Sequence, residues 1–125
     1  MLHEIKTVRQ EKGSGRRRWF ESEGLDLVIW LNPDTSVTGF QLCYDLGQGE
    51  HALTWRNASG FAHTRIDSGD ETPFANRAPV LEPDGPVPWK EIAQLFSQRS
   101  ATLEPALREL VQHRLAEGPA AGKRL

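Results

Sequence analysis

Between Leu25 and Ile66 every second residue can be set on one continuous apolar face, broken at three places by clusters of Gly, Pro, Asn, Asp and Ser. A period of two puts every second side chain on one face of a strand, so this stretch predicts consecutive antiparallel hairpins. Asn32-Pro33-Asp34-Thr35 forms a turn with Pro where its fixed φ is wanted. Pairing Asn32 with Val37 sets Leu31 against Thr38, Ile29 against Phe40, Leu27 against Leu42 and Leu25 against Tyr44. The turn at Leu46-Gly47-Gln48-Gly49 sets Tyr44 against His51, Leu42 against Leu53 and Phe40 against Trp55. The turn at Asn57-Ala58-Ser59-Gly60 predicts Trp55 with Ala62, Leu53 with Thr64 and His51 with Ile66. The three turns agree on one apolar face, as expected of a real sheet.

The flanks extend this picture. Residues 2–9 alternate weakly and suit either a strand or a loose arm; Glu11-Lys12-Gly13-Ser14-Gly15 is a turn, and Arg16-Arg17-Arg18-Trp19-Phe20-Glu21 reads as a strand with a basic entrance. Residues 67–87, rich in Pro and acidic groups, predict a loop with a short strand near Ala78-Pro79-Val80-Leu81. Pro88 opens a helix carrying Trp89, Ile92, Ala93 and Phe96 at helical spacing. Thr102 then caps a second helix with Leu103, Leu107, Leu110, Val111 and Leu115 on one stripe, ended by Gly118. The expected fold is α+β: an antiparallel β-meander of five to six strands with two C-terminal helices packed on one face. One domain spans 1–117, followed by a flexible tail over 118–125. The predicted core contains Ile29, Phe40, Leu42, Leu53, Trp55, Ile92, Phe96, Leu107 and Leu110.

Composition narrows the functional classes. A chain of 125 residues with 38% hydrophobic content, four Trp and five Phe can fill one core. The net charge of -2 is evenly spread, with 8 basic and 9 acidic groups in residues 1–67 against 7 and 8 in residues 68–125, so no global field favours nucleic acid or a membrane. A single cysteine, Cys43, excludes an internal disulfide and any multi-cysteine metal site. Neither a signal-peptide pattern nor an apolar run long enough to span a bilayer is present, which predicts a cytoplasmic protein with no membrane role.

The segments Arg16-Arg17-Arg18-Trp19-Phe20, Asp26-Leu27-Val28-Ile29-Trp30, Gly39-Phe40-Gln41-Leu42-Cys43-Tyr44-Asp45 and Ala52-Leu53-Thr54-Trp55 together resemble a family of small uncharacterised bacterial proteins. The resemblance covers most of the chain and implies a bacterial, cytoplasmic protein. It carries no activity or site residues across.

Candidate chemistry therefore rests on placement. Cys43 and His63 share a face in the predicted register, but strands about 4.8 Å apart leave them beyond hydrogen-bond reach, and Asp26 opposite Cys43 would raise the thiol pKa. His51 and His63 point to opposite faces in that register, which disfavours a shared metal. The acidic turn Asp67 to Glu71 lacks the ligand pattern of a calcium loop. No cofactor or metal is expected. Tyr44 opposite His51 could line a pocket, and such a pair serves a small hydrolase or isomerase if a second acid–base group lies near.

The back face is the sharper candidate. A two-residue turn at Glu23-Gly24 aligns Arg17, Trp30, Gly39, Arg56 and Phe61 in one row, with His63 in the next. Arginine over aromatic rings suits an anionic or aromatic ligand, or a second copy of the chain in a homodimer. Single-stranded nucleic acid is a weaker alternative, because three consecutive arginines make a short basic track. The leading expectation is a non-enzymatic binding or interaction module.

Overall fold

The computed structural model describes residues 1–5, 16–47, 49–66, 81–83 and 86–122. Its elements are β1 (His3–Glu4), β2 (Arg16–Ser22), β3 (Leu25–Leu31), β4 (Val37–Asp45), β5 (Glu50–Arg56), β6 (Gly60–Ile66), β7 (Leu81–Pro83), α1 (Trp89–Arg99) and α2 (Pro105–Gly122). The strands form one antiparallel sheet in chain order, so the fold is the predicted α+β meander with two C-terminal helices. The expected turn at Glu11–Gly15, the acidic turn at Asp67–Glu71 and the last three residues lie outside the described residues.

The β2–β3 and β4–β5 registers are those the pattern predicts: Arg17 faces Trp30, Tyr44 faces His51 and Phe40 faces Trp55. Ile29 pairs with Phe40 and Trp30 with Gly39, but Leu31 then pairs with Val37 rather than Thr38. The loop is the cause. Asn32 N–H donates to Ser36 O at 2.8 Å, Thr35 adopts φ +72°, and the extra residue is absorbed as an irregularity beside Thr38, whose hydroxyl donates to Trp30 O at 3.2 Å. Leu31 and Val37 thereby both pack against the core.

A larger correction falls on β6. Arg56 pairs with Gly60, Trp55 with Phe61, Leu53 with His63 and His51 with Arg65, one residue away from the predicted register. Gly60 takes φ +81°, a left-handed conformation suited to glycine, and pairs with Arg56, which leaves Asn57-Ala58-Ser59 as the loop. A slip of one residue exchanges the two faces of the strand. Phe61 and His63 consequently belong to the helix-covered face, not to the back-face row.

That face holds the core: Phe20, Leu25, Leu27, Ile29, Phe40, Leu42, Tyr44, Leu53 and Trp55 beneath Ile92 and Phe96 of α1 and Leu107, Val111 and Leu115 of α2. Leu110, expected in this core, is only half-buried. Phe61 extends the core toward α1, edge-on to Phe40 at 6.4 Å and to Trp89 at 5.0 Å between ring centroids. Trp89 in turn lies on Gly118, where a Cβ would overlap the ring. Gly118 therefore does not end α2; it is the gap in the helix surface that receives the indole, and the helix continues to Gly122.

Thr102 does not cap α2 either. The helix starts at Pro105, a residue suited to the first helical position, and the Thr102 hydroxyl donates to Leu2 O at 3.0 Å. Leu2 N–H donates to Arg99 O at 2.8 Å, and the Leu2 side chain is buried, so the chain start is fixed to the α1–α2 turn. Arg18 reinforces this corner through Nε to Glu4 at 2.8 Å and Nη2 to Glu104 at 2.7 Å. No helix among the described residues is long and apolar enough to cross a membrane.

Candidate functional site

On the back face, the row predicted from sequence survives in part. Arg17, Trp30, Gly39 and Arg56 are aligned by the paired registers, with Gly60 where Phe61 was expected. Gly39 is required there: a Cβ would stand 2.5 Å from Trp55 O and 3.3 Å from Cε3 of Trp30. The bare backbone lets the indole lie across β4 and meet Arg56, whose guanidinium carbon sits 4.2 Å from the ring centroid. Trp30 is half-buried and Arg56 exposed, and Arg56 makes no ion pair among the described residues.

Next to this stack the back face closes into a small polar and apolar patch. Gln41 Nε2 donates to Thr54 Oγ1 at 2.8 Å, and Cys43 packs with Ala52, its thiol 3.7 Å from Gln41 Oε1. Burial drives the Cys43 thiol well above its ordinary range, and the carboxylates of Asp26 and Glu50 push it further the same way. It is therefore held as a thiol rather than a nucleophilic thiolate at neutral pH. Asp26 accepts a long hydrogen bond from Trp19 Nε1 at 3.4 Å, and its carboxyl is also raised, chiefly by desolvation.

On the other face the β6 register creates a cluster that the alternation pattern missed. Tyr44, His51 and His63 lie with ring planes within 8–23° of parallel and centroids 5.5–6.0 Å apart. The Tyr44 hydroxyl meets His63 Nε2 at 2.5 Å, with the direction of donation set by the imidazole tautomer. Tyr44 is only 2% exposed, whereas both imidazoles are half-buried. The expected Tyr44–His51 neighbours are thus joined by His63, which the predicted register had sent to the far side. The one available signal was Gly60, a residue able to occupy a left-handed loop position.

Cys43 and His63 lie on opposite faces of the sheet, so that thiol and that imidazole do not pair. His51 and His63 share a face, contrary to the sequence expectation, yet no group of three or more His, Cys, Asp or Glu side chains is arranged to hold a metal among the described residues. Comparison with family models, with curated proteins and with solved structures finds no match, so the geometry above is the basis for any functional reading.

Proposed function

We propose that this protein is a non-enzymatic binding or interaction module acting through the back face of its sheet at Arg17, Trp30 and Arg56, in a bacterial cytoplasm. The observation carrying the reading is the exposed Arg56 guanidinium placed over the Trp30 indole, 4.2 Å from its centroid. A guanidinium held over a ring keeps its N–H donors available to an anion, and its restraint lowers the conformational entropy lost when the anion is gripped. Arg17 on the opposite side of Trp30 adds a second cation to the row. An anionic or aromatic small ligand, or the same face of a second copy in a homodimer, meets this chemistry. Single-stranded nucleic acid fits less well, since removing Phe61 from the row shortens the stacking platform.

The test is a double variant, Trp30→Ala with Arg56→Ala, in a thermal-shift screen of nucleotides, oligonucleotides and organic anions alongside sedimentation analysis of mass. A ligand-dependent rise in melting temperature, or a dimer, should be present in the parent and lost in the folded variant. If both properties are the same in the two proteins, the reading fails.

The Tyr44–His63 contact favours a second reading, a small hydrolase or isomerase using His51 or His63 as acid or base. It supplies the second acid–base group that a Tyr44–His51 pocket lacked. Turnover of chromogenic esters that disappears in both His63→Gln and Tyr44→Phe would support it, and turnover unaffected by either change would exclude it.

A further inference from the structure

A separate groove lies on the helix side of the sheet, between the first turns of α2 and the turn end of the β3–β4 hairpin. It is an open groove of about 650 Å³ lined by Arg16, Arg18, Leu31, Val37, Glu104 and Leu110. That volume is in the range of about 300–1,000 Å³ typical of sites for small organic molecules, and far larger than a simple ion needs. Its apolar wall exists because of the β-irregularity after Trp30, which turns Val37 to the same side as Leu31. Leu110, which the helical stripe assigns to the core, is instead half-buried at this groove.

The two cations of the groove are placed differently. Glu4 and Glu104 both bind Arg18, so that guanidinium is engaged by two carboxylates. Arg16 is exposed and forms no ion pair among the described residues. An aliphatic wall beside an exposed guanidinium complements an anion carrying an apolar body. A bare anion would leave the leucines uncovered, and a neutral apolar molecule would gain nothing from the guanidinium.

We propose that this groove binds an amphiphilic carboxylate, its head on Arg16 and its aliphatic chain along Leu31, Val37 and Leu110. The occupant is a small molecule, distinct from whatever meets the back face, and the site stands or falls independently of Arg56 and Trp30.

Decanoate, kept below its micellisation threshold, is the probe, followed by backbone and methyl NMR shifts. Saturable shifts are expected at Leu31, Val37 and Leu110. Acetate, which lacks the chain, and decyl maltoside, which lacks the charge, should each bind at least tenfold more weakly, a difference of about 1.4 kcal/mol. Arg16→Ala should weaken decanoate at least tenfold while leaving decyl maltoside unchanged, and Leu110→Gln should weaken both. Arg16 is at the exposed start of β2, so its replacement leaves the core intact. The proposal is overturned if decanoate causes no saturable shift, if decyl maltoside binds as tightly, if Arg16→Ala has no effect, or if the same resonances move with protein concentration alone, which would mean that a second copy fills the groove.

Discussion

Replacing Gly39 with alanine sets two effects of known size against each other. Alanine restricts the unfolded chain and should stabilise by about 0.4–1 kcal/mol wherever the native backbone accepts it. Gly39 has no positive φ, so its backbone does accept it. The added methyl, however, would sit 2.5 Å from Trp55 O, a backbone atom of the adjacent central strand. A flexible side chain could step aside, but a strand locked between two ladders cannot move without loosening both. Overpacking of this kind costs about 1–3 kcal/mol, so the net effect is a loss of about 1–2 kcal/mol. With a urea dependence of about 1–3 kcal/mol per molar for a domain of this size, the unfolding midpoint should drop by about 0.3–2 M. The same methyl presses on Trp30, so the indole N–H resonance of Trp30 should move and the Arg56 stack loosen. Gly47→Ala is the control: at φ +96° with no atom within 4 Å it tests backbone strain without contact, and should leave Trp30 unmoved. An unchanged or raised midpoint for Gly39→Ala, with Trp30 undisturbed, would refute the claim that Gly39 exists to admit the ring.

Gly118→Ala should also destabilise, although alanine is favoured over glycine in helices by about 1 kcal/mol, because its Cβ would overlap the Trp89 ring; pairing it with Trp89→Leu should restore stability in a melting experiment. The raised carboxyl of Asp26 means that the folded state holds its proton more tightly than the unfolded state, so this group favours folding at low pH and disfavours it as pH rises through the folded pKa. Asp26→Asn should therefore be more stable than the parent at pH 7, with the advantage fading toward pH about 4 and below; an equal gain at all pH values would contradict this. Cys43 should be inert to a thiol reagent such as dithionitrobenzoate in the native protein and react fully once urea unfolds it, whereas rapid native labelling would contradict its burial.

Most of the meander was legible because alternation, turn residues and apolar pairing in β2 to β5 all demanded the same register. The exception is instructive. In β6 the sequence Gly60-Phe61-Ala62-His63-Thr64-Arg65 has no strongly apolar face, so its pattern places it almost equally well in either orientation. The backbone conformation of Gly60 decides the matter, and an apolar count does not contain that information. One residue of loop length removed Phe61 and His63 from the predicted binding row, gave the core an aromatic bridge to Trp89, and brought two imidazoles beside Tyr44. The Arg56–Trp30 stack was readable because it depends on β2 to β5 alone. Gly118 and Thr102 were misjudged for a related reason: local helix signals suggest a stop and a cap, while tertiary partners, Trp89 and Leu2, use those residues otherwise.

The fastening of Leu2 to the α1–α2 turn has a kinetic meaning. Thr102 and Leu2 stand 100 positions apart, so closing their bond before the hairpins and helices assemble would cost the loop entropy of most of the chain for one hydrogen bond. Contacts absent from the folding transition state leave the folding rate nearly untouched and act on the barrier to unfolding. Thr102→Val should thus steepen escape from the native state, visible as a faster unfolding limb with an unchanged refolding limb. The first residues of the chain then serve as its closing latch, setting how long the fold lasts rather than how quickly it is reached.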